Sequence, residues 1–356
     1  MKIGILTQHF LLNYGGIIQN FALQQVLLKL GHEPLTFEHD TCYSRTRWFL
    51  RSAKHVLKSH SLKGLPVYPT YQGRIGNKSF IKFVLKNIRS VTVKDFTPDL
   101  TQKYGLDAYV VGSDQVWRPD FNLGSRLGNM FLDFAGDGVK KISYAASFGC
   151  KEWEYTEEQE RRCGVLAKRF DAISVREASG VELCKEHFGV KATLVLDPTL
   201  LLNKEDYAKV CDHVPKKQKH IFVYSLVVGE EVLTVAKKLS EATMLPIVVK
   251  QAGDKVKKED TIEDWFAEFR DADYVVTDSF HGMVFSIIFN KPFSIVMNPS
   301  GGNDRYLSLL SQLGLMARIV SDDLQPVYSG IDWSDVNHRL TELRKASIDF
   351  LKTNLK

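Results

Sequence analysis

Short apolar runs alternate with stretches of helical spacing along most of the chain, and this alternation constrains the fold more than any other feature. KIGILT (2–7) is β-like. In 17–31 the apolar residues at 18, 21, 22, 26, 27 and 30 follow helical spacing, with Gly31 as a stop, and EPLTFEH (33–39) restarts a strand. Such a β-α-β opening starts a parallel sheet. Strand-like runs continue at 107–112, 141–147, 171–177 and 192–197, with helical stretches at 156–170 and 178–188. Pro198 and the polar run 203–219 read as a boundary. A second cycle begins with HIFVYSLVVG (220–229) and a helix near 230–243. It continues with the strand LPIVV, a helix near 261–270 and the strand DYVVTD (273–278), then helix 281–290, the strand FSIVM and helix 304–313. The pattern predicts an α/β protein of two Rossmann-like domains facing across a cleft. The expected divisions are 1–202, 203–330, and a C-terminal helix over 331–356 that can return to the first domain.

A chain of 356 residues suits two domains, and 44% hydrophobic with 25% charged residues is ordinary for a soluble globular protein. The start, MKIGILTQHF, carries one lysine and a short apolar run broken by Gln8 and His9, unlike a signal peptide. The longest apolar stretch, 283–297, is interrupted by Asn290, Lys291 and Pro292 and is too short to span a bilayer. A cytoplasmic protein is expected. The 5 cysteines form no C-x-x-C pair and the 10 histidines show no compact ligand spacing, so no metal site and no disulfide framework is expected. The whole-chain charge of +5 is uneven: residues 41–94 hold twelve Lys or Arg and no Asp or Glu, leaving the remainder net acidic. This block also carries Tyr43, Trp48, Phe49, Tyr68, Tyr71, Phe80 and Phe83. Its charge and aromatics suit an anionic membrane or a lipid-diphosphate carrier. A solvated helical arm facing acidic patches of the same chain is the alternative, and attraction to an anionic surface is the preferred reading. No module signature accompanies the charge, and nucleic acid is not an expected partner.

In open α/β sheets ligands gather beyond the C-terminal strand ends, and polar clusters fall at four of them. Asn13, Tyr14, Gly15, Gly16 and Gln19 lead into the first helix, where adjacent glycines let backbone N–H groups approach a ligand. An ordinary strand-to-helix loop would look the same. VVGSDQVWRPDF (110–121) places Ser113, Asp114, Gln115, Trp117 and Arg118 after a buried strand. A carboxylate beside an aromatic ring and a guanidinium can be tuned for acid or base work, or can merely cap a helix. In SVREASG (174–180), Arg176 can fork onto a carboxylate or phosphate, or pair with Glu177. The fourth cluster, TDSFHG (277–282), supplies Ser279, His281 and Gly282, and PSGGNDRY (299–306) adds Asn303 and Arg305.

Taken together, NYGG with the following Q and ALQ, VVGSDQVW, SVREASG with LDPTLLL, and DYVVTDSFHG with NKPF resemble the polysaccharide pyruvyl transferase family. Each motif is short; their order and spacing, from about residue 3 to 315, carry the resemblance. It implies a fold similar to GT-B glycosyltransferases and transfer of pyruvate from phosphoenolpyruvate to a sugar as a cyclic ketal, with release of phosphate. It also implies surface-polysaccharide biosynthesis as the setting and no cofactor beyond the donor substrate. Many relatives have Arg-Leu-His where this chain has Ser279-Phe280-His281, so the histidine carries over and the arginine does not. Arg305 is the expected substitute, and Arg176 matches the family's Arg-acidic-x-x-Ser pattern.

Ketal formation requires a proton on C3 of the donor, loss of protons from sugar hydroxyls attacking C2, and departure of phosphate. Asp114 is the expected base, and His281 the proton donor or a phosphate ligand. Arg176 and Arg305 are the expected donor clamps, assisted by Ser279 and the helix that follows it. Asn13, Tyr14, Gly15, Gly16, Gln19, Ser113, Gln115, Trp117, Gly282 and Asn303 are expected to line the substrate sites. The basic block then suits an acceptor carried on polyprenyl diphosphate and peripheral contact with the inner membrane face. Two other readings fit facing Rossmann-like domains: a nucleotide-sugar glycosyltransferase, and a non-catalytic glycan- or lipid-binding protein. No acidic ribose-binding signature stands out to support the first.

Overall fold

The computed structural model describes residues 1–10, 13–39, 53–54, 56–57, 77–226, 229–297 and 302–356. Cys42, Arg45, Arg47 and Arg51, with most of the basic segment (41–52, 55 and 58–76), lie outside the described residues. Seven strands form a first, parallel sheet: β1 (Lys2–Leu6), β2 (Glu33–His39), β3 (Ser90–Val93), β4 (Ala108–Val111), β5 (Lys140–Ala146), β6 (Ala172–Val175) and β7 (Thr193–Leu194). Their order is β3-β2-β1-β4-β5-β6-β7, so the direction of winding reverses between β1 and β4. A second parallel sheet holds β8 (Ile221–Ser225), β9 (Ile247–Gln251), β10 (Tyr274–Thr277) and β11 (Phe293–Ile295) in the order β11-β10-β8-β9, reversing between β8 and β10. Central strands such as β4 and β8 are buried along their whole length, as parallel strands covered on both faces must be. The α/β class and the Rossmann-like sheets match the pattern in the sequence.

Local chemistry moved several boundaries. Helix α1 (Tyr14–Lys29) starts three residues before its apolar spacing does, because the Asn13 carboxamide oxygen accepts from the N–H groups of Gly15 and Gly16 at 3.1 and 3.5 Å. The two glycines are thus the helix's first turn and not a loop. Within the basic segment, α2 (Lys78–Asn87) and β3 were not foreseen: Phe80, Phe83 and Val84 are buried while Lys78, Lys82 and Lys86 face outward. Those two phenylalanines belong to the core and cannot face a membrane. The polar run after Leu202 is also partly helical. Asn203 and Asp206 form a reciprocal capping box at the start of a helix (Lys204–Cys211) whose Tyr207 and Cys211 are buried. The strand expected over 192–197 shrinks to Thr193–Leu194, since Asp197 and Pro198 begin a 3-10 turn.

The C-terminal ends of the two sheets converge. A helix at Ile262–Asp271 brings Trp265 onto Tyr14 of α1, with ring centroids 5.2 Å apart and planes 16° from parallel. Phe80 and Tyr224 meet the same tyrosine edge-on, so one aromatic cluster joins both sheets. The last helix, Trp333–Asn354, runs back to the first sheet, where Ser347 Oγ accepts from Leu196 N and Arg344 Nε donates to Leu200 O. Cys150, Cys163, Cys184 and Cys211 are buried free thiols. Among the described residues no helix is long and apolar enough to cross a membrane. Trp265 fills the centre of the seam, so Trp265→Ala is expected to cost about 3–5 kcal/mol in urea unfolding. A loss below about 1 kcal/mol would mean that the seam does not hold the halves together.

Candidate functional site

Three strand ends of the first sheet place their loops at one point. Thr7, just past β1, donates its hydroxyl to Ser113 O beyond β4. Gln19 of α1 accepts from Ser113 N at 3.1 Å and donates to Thr7 Oγ1 and Gly16 O. These bonds fix the loop that carries Asp114, which adopts a positive φ of 79°. Its Oδ1 accepts from Gln115 N at 2.9 Å and from Arg176 Nη2 at 3.3 Å, while a Cβ on Gly16 would lie 3.7 Å from its Oδ2. The guanidinium beside Asp114 is therefore Arg176, from the end of β6, and not Arg118 as sequence proximity suggested. Arg118 is held by Glu154 through two bonds at 2.9 and 2.8 Å.

Arg176 sits at the centre of a buried charge cluster. Besides Asp114, its Nη1 donates to Asp197 Oδ2 at 2.9 Å, and its Nε lies 3.9 Å from Glu177 Oε2. Asp197 also accepts from Ser113 Oγ at 3.2 Å, Thr199 Oγ1 at 2.7 Å and Thr199 N at 3.0 Å. Burial works against its charge, but Arg176 and the Thr199 bonds outweigh this and hold it below the usual carboxylate range. Glu177 is fully buried, accepts from Phe148 N and Gly149 N, and burial pushes its carboxyl up. Asp197 was missed as a site residue in the sequence. The Asp-Pro-Thr step, a turn-capping signature, was the available signal.

From the second sheet, Ser279 caps the helix Phe280–Ile288 by accepting from Gly282 N at 3.4 Å. Asp278 does not cap; it receives Ser225 Oγ and Leu226 N and so ties the ends of β10 and β8. His281 follows the cap and packs directly on the first sheet's loop: a Cβ on Gly15 would overlap its Nδ1. Only glycine fits there. The imidazole is buried, and its Nε2 makes no hydrogen bond among the described residues. Burial disfavours the imidazolium, Asp197 and Asp114 favour it, Arg176 and Arg305 oppose it, and the balance lowers the group to about 4. Arg305, half-buried in the helix Asp304–Leu313, has its guanidinium 5.5 Å from the Phe280 ring, which Arg176 also approaches at 5.2 Å. Among the described residues Arg305 forms no hydrogen bond or ion pair, and its buried Nε has no acceptor.

The structure thus brings together Gly15, Gly16, Asp114, Arg176, Ser279, His281 and Arg305. Asn13 stands exposed at the edge as the α1 cap, and Asn303, half-buried, precedes the Arg305 helix without a side-chain capping bond. Other expected ligand contacts are corrected. Trp117 is fully buried, stacks on Phe131 at 4.9 Å and donates its indole N–H to Met130 O, so it is core. Tyr14 is buried in the aromatic seam. Gln19 and Ser113 are fully buried and spend their hydrogen bonds on the loops themselves. Gln115 accepts from Arg118, and Gly282 is required because a Cβ there would strike Thr277. Among the described residues no group of three or more His, Cys, Asp or Glu side chains is placed to hold a metal ion.

The arrangement offers a carboxylate, a neutral imidazole and an unpaired guanidinium around helix N-termini, a set suited to an anionic substrate and proton transfer. Among protein families, the model described as polysaccharide pyruvyl transferase matches residues 13–300. No curated protein matches the chain. Similar solved structures include a glycosyltransferase from Rickettsia africae ESF-5, 9% identical, covering 99% of this chain and 94% of that one with a TM-score of 0.46. A UDP-GlcNAc 2-epimerase from Methanocaldococcus jannaschii is 12% identical, with 98% and 93% covered and a TM-score of 0.46. MurG from Acinetobacter baumannii is 11% identical, with 99% of each chain covered and a TM-score of 0.44.

The burial of His281 has a consequence for stability. Between pH 6.5 and about 4 the unfolded chain binds a proton at this position that the folded chain refuses, so stability falls as pH drops through that window. In His281→Asn this contribution disappears. Thermal melts at pH 7 and pH ~4.5 are expected to show a smaller drop for the variant than for the parent. Equal drops would mean that the imidazole is not held neutral.

Proposed function

The chain belongs to the polysaccharide pyruvyl transferase family, and we propose that it transfers pyruvate from phosphoenolpyruvate to two hydroxyls of a sugar as a cyclic ketal, releasing phosphate. The observation that carries this reading is the meeting of His281 with Gly15, beside Asp114 and the partnerless guanidinium of Arg305. A donor with a carboxylate and a phosphate needs positive potential that is not already spent. Arg176 is committed to Asp197 and Asp114, so its part is to hold the Asp114 carboxylate in position. Arg305 and the N-terminus of the Phe280–Ile288 helix receive the donor oxygens.

C3 of the donor takes up a proton from solvent, which makes C2 cation-like, and Asp114 takes the proton of an acceptor hydroxyl as its oxygen attacks C2. His281 is neutral before the donor arrives, and its Nε2 is available for a hydrogen bond to the phosphate. The phosphate charge then favours the imidazolium, which protonates the leaving group. The C2–O bond breaks with its electron pair leaving on phosphate, and the second hydroxyl closes the ring as its proton passes to solvent.

The test incubates the protein with phosphoenolpyruvate and a panel of glycosides, measuring phosphate release together with the mass gain on the sugar. Asp114→Asn is expected to lower turnover by about a hundredfold or more; near-normal turnover would remove it as the base. Arg305→Lys replaces a fork with a point charge and is expected to raise the donor KM, while an unchanged KM would place the phosphate elsewhere. We also place the acceptor on polyprenyl diphosphate at an anionic membrane, on the charge of residues 41–94. Neutralising Arg45, Arg47 and Arg51 should abolish salt-sensitive binding to anionic vesicles; a parent protein that does not bind them would end this idea.

A further inference from the structure

Two arginines reach the Phe280 ring, and they are held in opposite ways. The guanidinium carbon of Arg176 lies 5.2 Å from the ring centroid, and its N–H groups are bonded to Asp197 and Asp114. That of Arg305 lies 5.5 Å from the same centroid and 5.9 Å from the centroid of Tyr306, and Arg305 forms no hydrogen bond or ion pair among the described residues. Burial and the Arg176 charge both work against the Arg305 cation and lower it from the usual arginine value. The two rings beneath it form a fixed frame. Phe280 and Tyr306 are buried and meet edge-on, with centroids 5.8 Å apart and planes 88° from parallel. The Tyr306 hydroxyl donates to Asp278 O at 2.7 Å, and the Asp278 carboxylate accepts from Ser225 Oγ and Leu226 N. The frame is thereby anchored to the ends of β8 and β10. Phe280 also precedes His281 directly, so the ring under Arg305 opens the same helix turn as the imidazole that lies against Gly15.

A carboxylate and a ring face orient a guanidinium differently. A carboxylate neutralises the cation and occupies its N–H groups, as Asp197 and Asp114 do for Arg176. The negative face of an aromatic ring attracts the cation and leaves those N–H groups unspent. A cation kept from water without a counter-ion is costly to hold, and that cost is relieved when an anion arrives. We infer that Phe280 and Tyr306 are positioning residues that hold Arg305 against their rings as a preformed hook for the donor's phosphate. The phosphate is then the first counter-ion this arginine meets, and its forked N–H groups are already turned away from any protein acceptor. The rings act on the donor only through Arg305, so they set how tightly it binds and leave the rate of the bound complex alone.

This inference rests on the ketal-transfer reading for the identity of the donor, and binding measured apart from turnover separates the two. Phosphoenolpyruvate and inorganic phosphate are titrated calorimetrically into the parent protein, Phe280→Leu, Phe280→Tyr, Arg305→Ala and the Phe280→Leu/Arg305→Ala double variant. Donor KM and kcat are measured on the same proteins with the glycoside panel. Phe280→Leu removes the ring face and keeps an apolar side chain. It is expected to weaken both Kd values and raise the donor KM by about tenfold, with kcat within about threefold of the parent. Phe280→Tyr keeps the ring and should bind within about threefold of the parent. In the double variant, Phe280→Leu should add nothing to the loss that Arg305→Ala produces alone. Additive losses, or unchanged binding in a folded Phe280→Leu variant, overturn the hook, because the ring would then not act through Arg305. Should Phe280→Leu lose its cooperative thermal transition, Tyr306→Leu and Tyr306→Phe make the same comparison at the second ring. A parent that binds both anions with this pattern but releases no phosphate with any glycoside supports the hook and overturns the ketal reading. A parent that binds neither anion overturns the hook.

Discussion

The stack of Tyr14 on Trp265 is the contact on which the rest of the arrangement depends. Tyr14 opens α1 and is followed at once by Gly15 and Gly16. Holding its ring against the second sheet's helix therefore also sets how near the first-sheet loop comes to His281. The glycine at 15 lets the imidazole lie against backbone, and any side chain there would force the halves apart. Phe80 and Tyr224 close the cluster edge-on, so the join is aromatic where the site above it is polar. A join of this kind is non-directional in energy but strict in shape.

Above the seam, the balance of charge decides which groups can act on a ligand. Arg176 is buried and would be costly to hold without Asp197 and Asp114. Asp197 in turn is held below the usual carboxylate range with its help. Glu177 is fully buried, where burial favours its neutral form, and it organises the Phe148–Gly149 turn. Arg305 and Arg176 both lean on Phe280, and their mutual repulsion leaves a local need for negative charge. His281 responds to the same field. Its imidazole is lowered to about 4 by burial and by the two guanidinium groups, against the pull of Asp197 and Asp114.

Most elements were legible because hydrophobic period is local. The helices at 230–243 and 304–313 and the strand at 33–39 have the bounds that their patterns indicate. Misses came where a side chain close in sequence supplied a bond that the pattern does not display: Asn13 capping two glycines, or Asn203 and Asp206 closing a box. Others came where polarity hid burial. Lys78, Lys82 and Lys86 made 78–87 look like part of a basic arm, although Phe80, Phe83 and Val84 between them reach the core. Trp117 looked like a ligand contact because polar neighbours flank it, and proved to be the centre of an aromatic core.

By itself, the sequence determined the alternation of strands and helices, the two parallel sheets, and the strand ends at which polar residues collect. Those follow from periodicity and turn chemistry acting over a few residues. Only the tertiary structure decided which of the collected residues remain available to a ligand. Arg176 finds its partners 21 and 62 positions away, at Asp197 and Asp114, and Gly15 meets a histidine from the other sheet. A charged group near its neighbours in sequence is free or spent according to contacts set by packing of distant elements, and no local pattern records them.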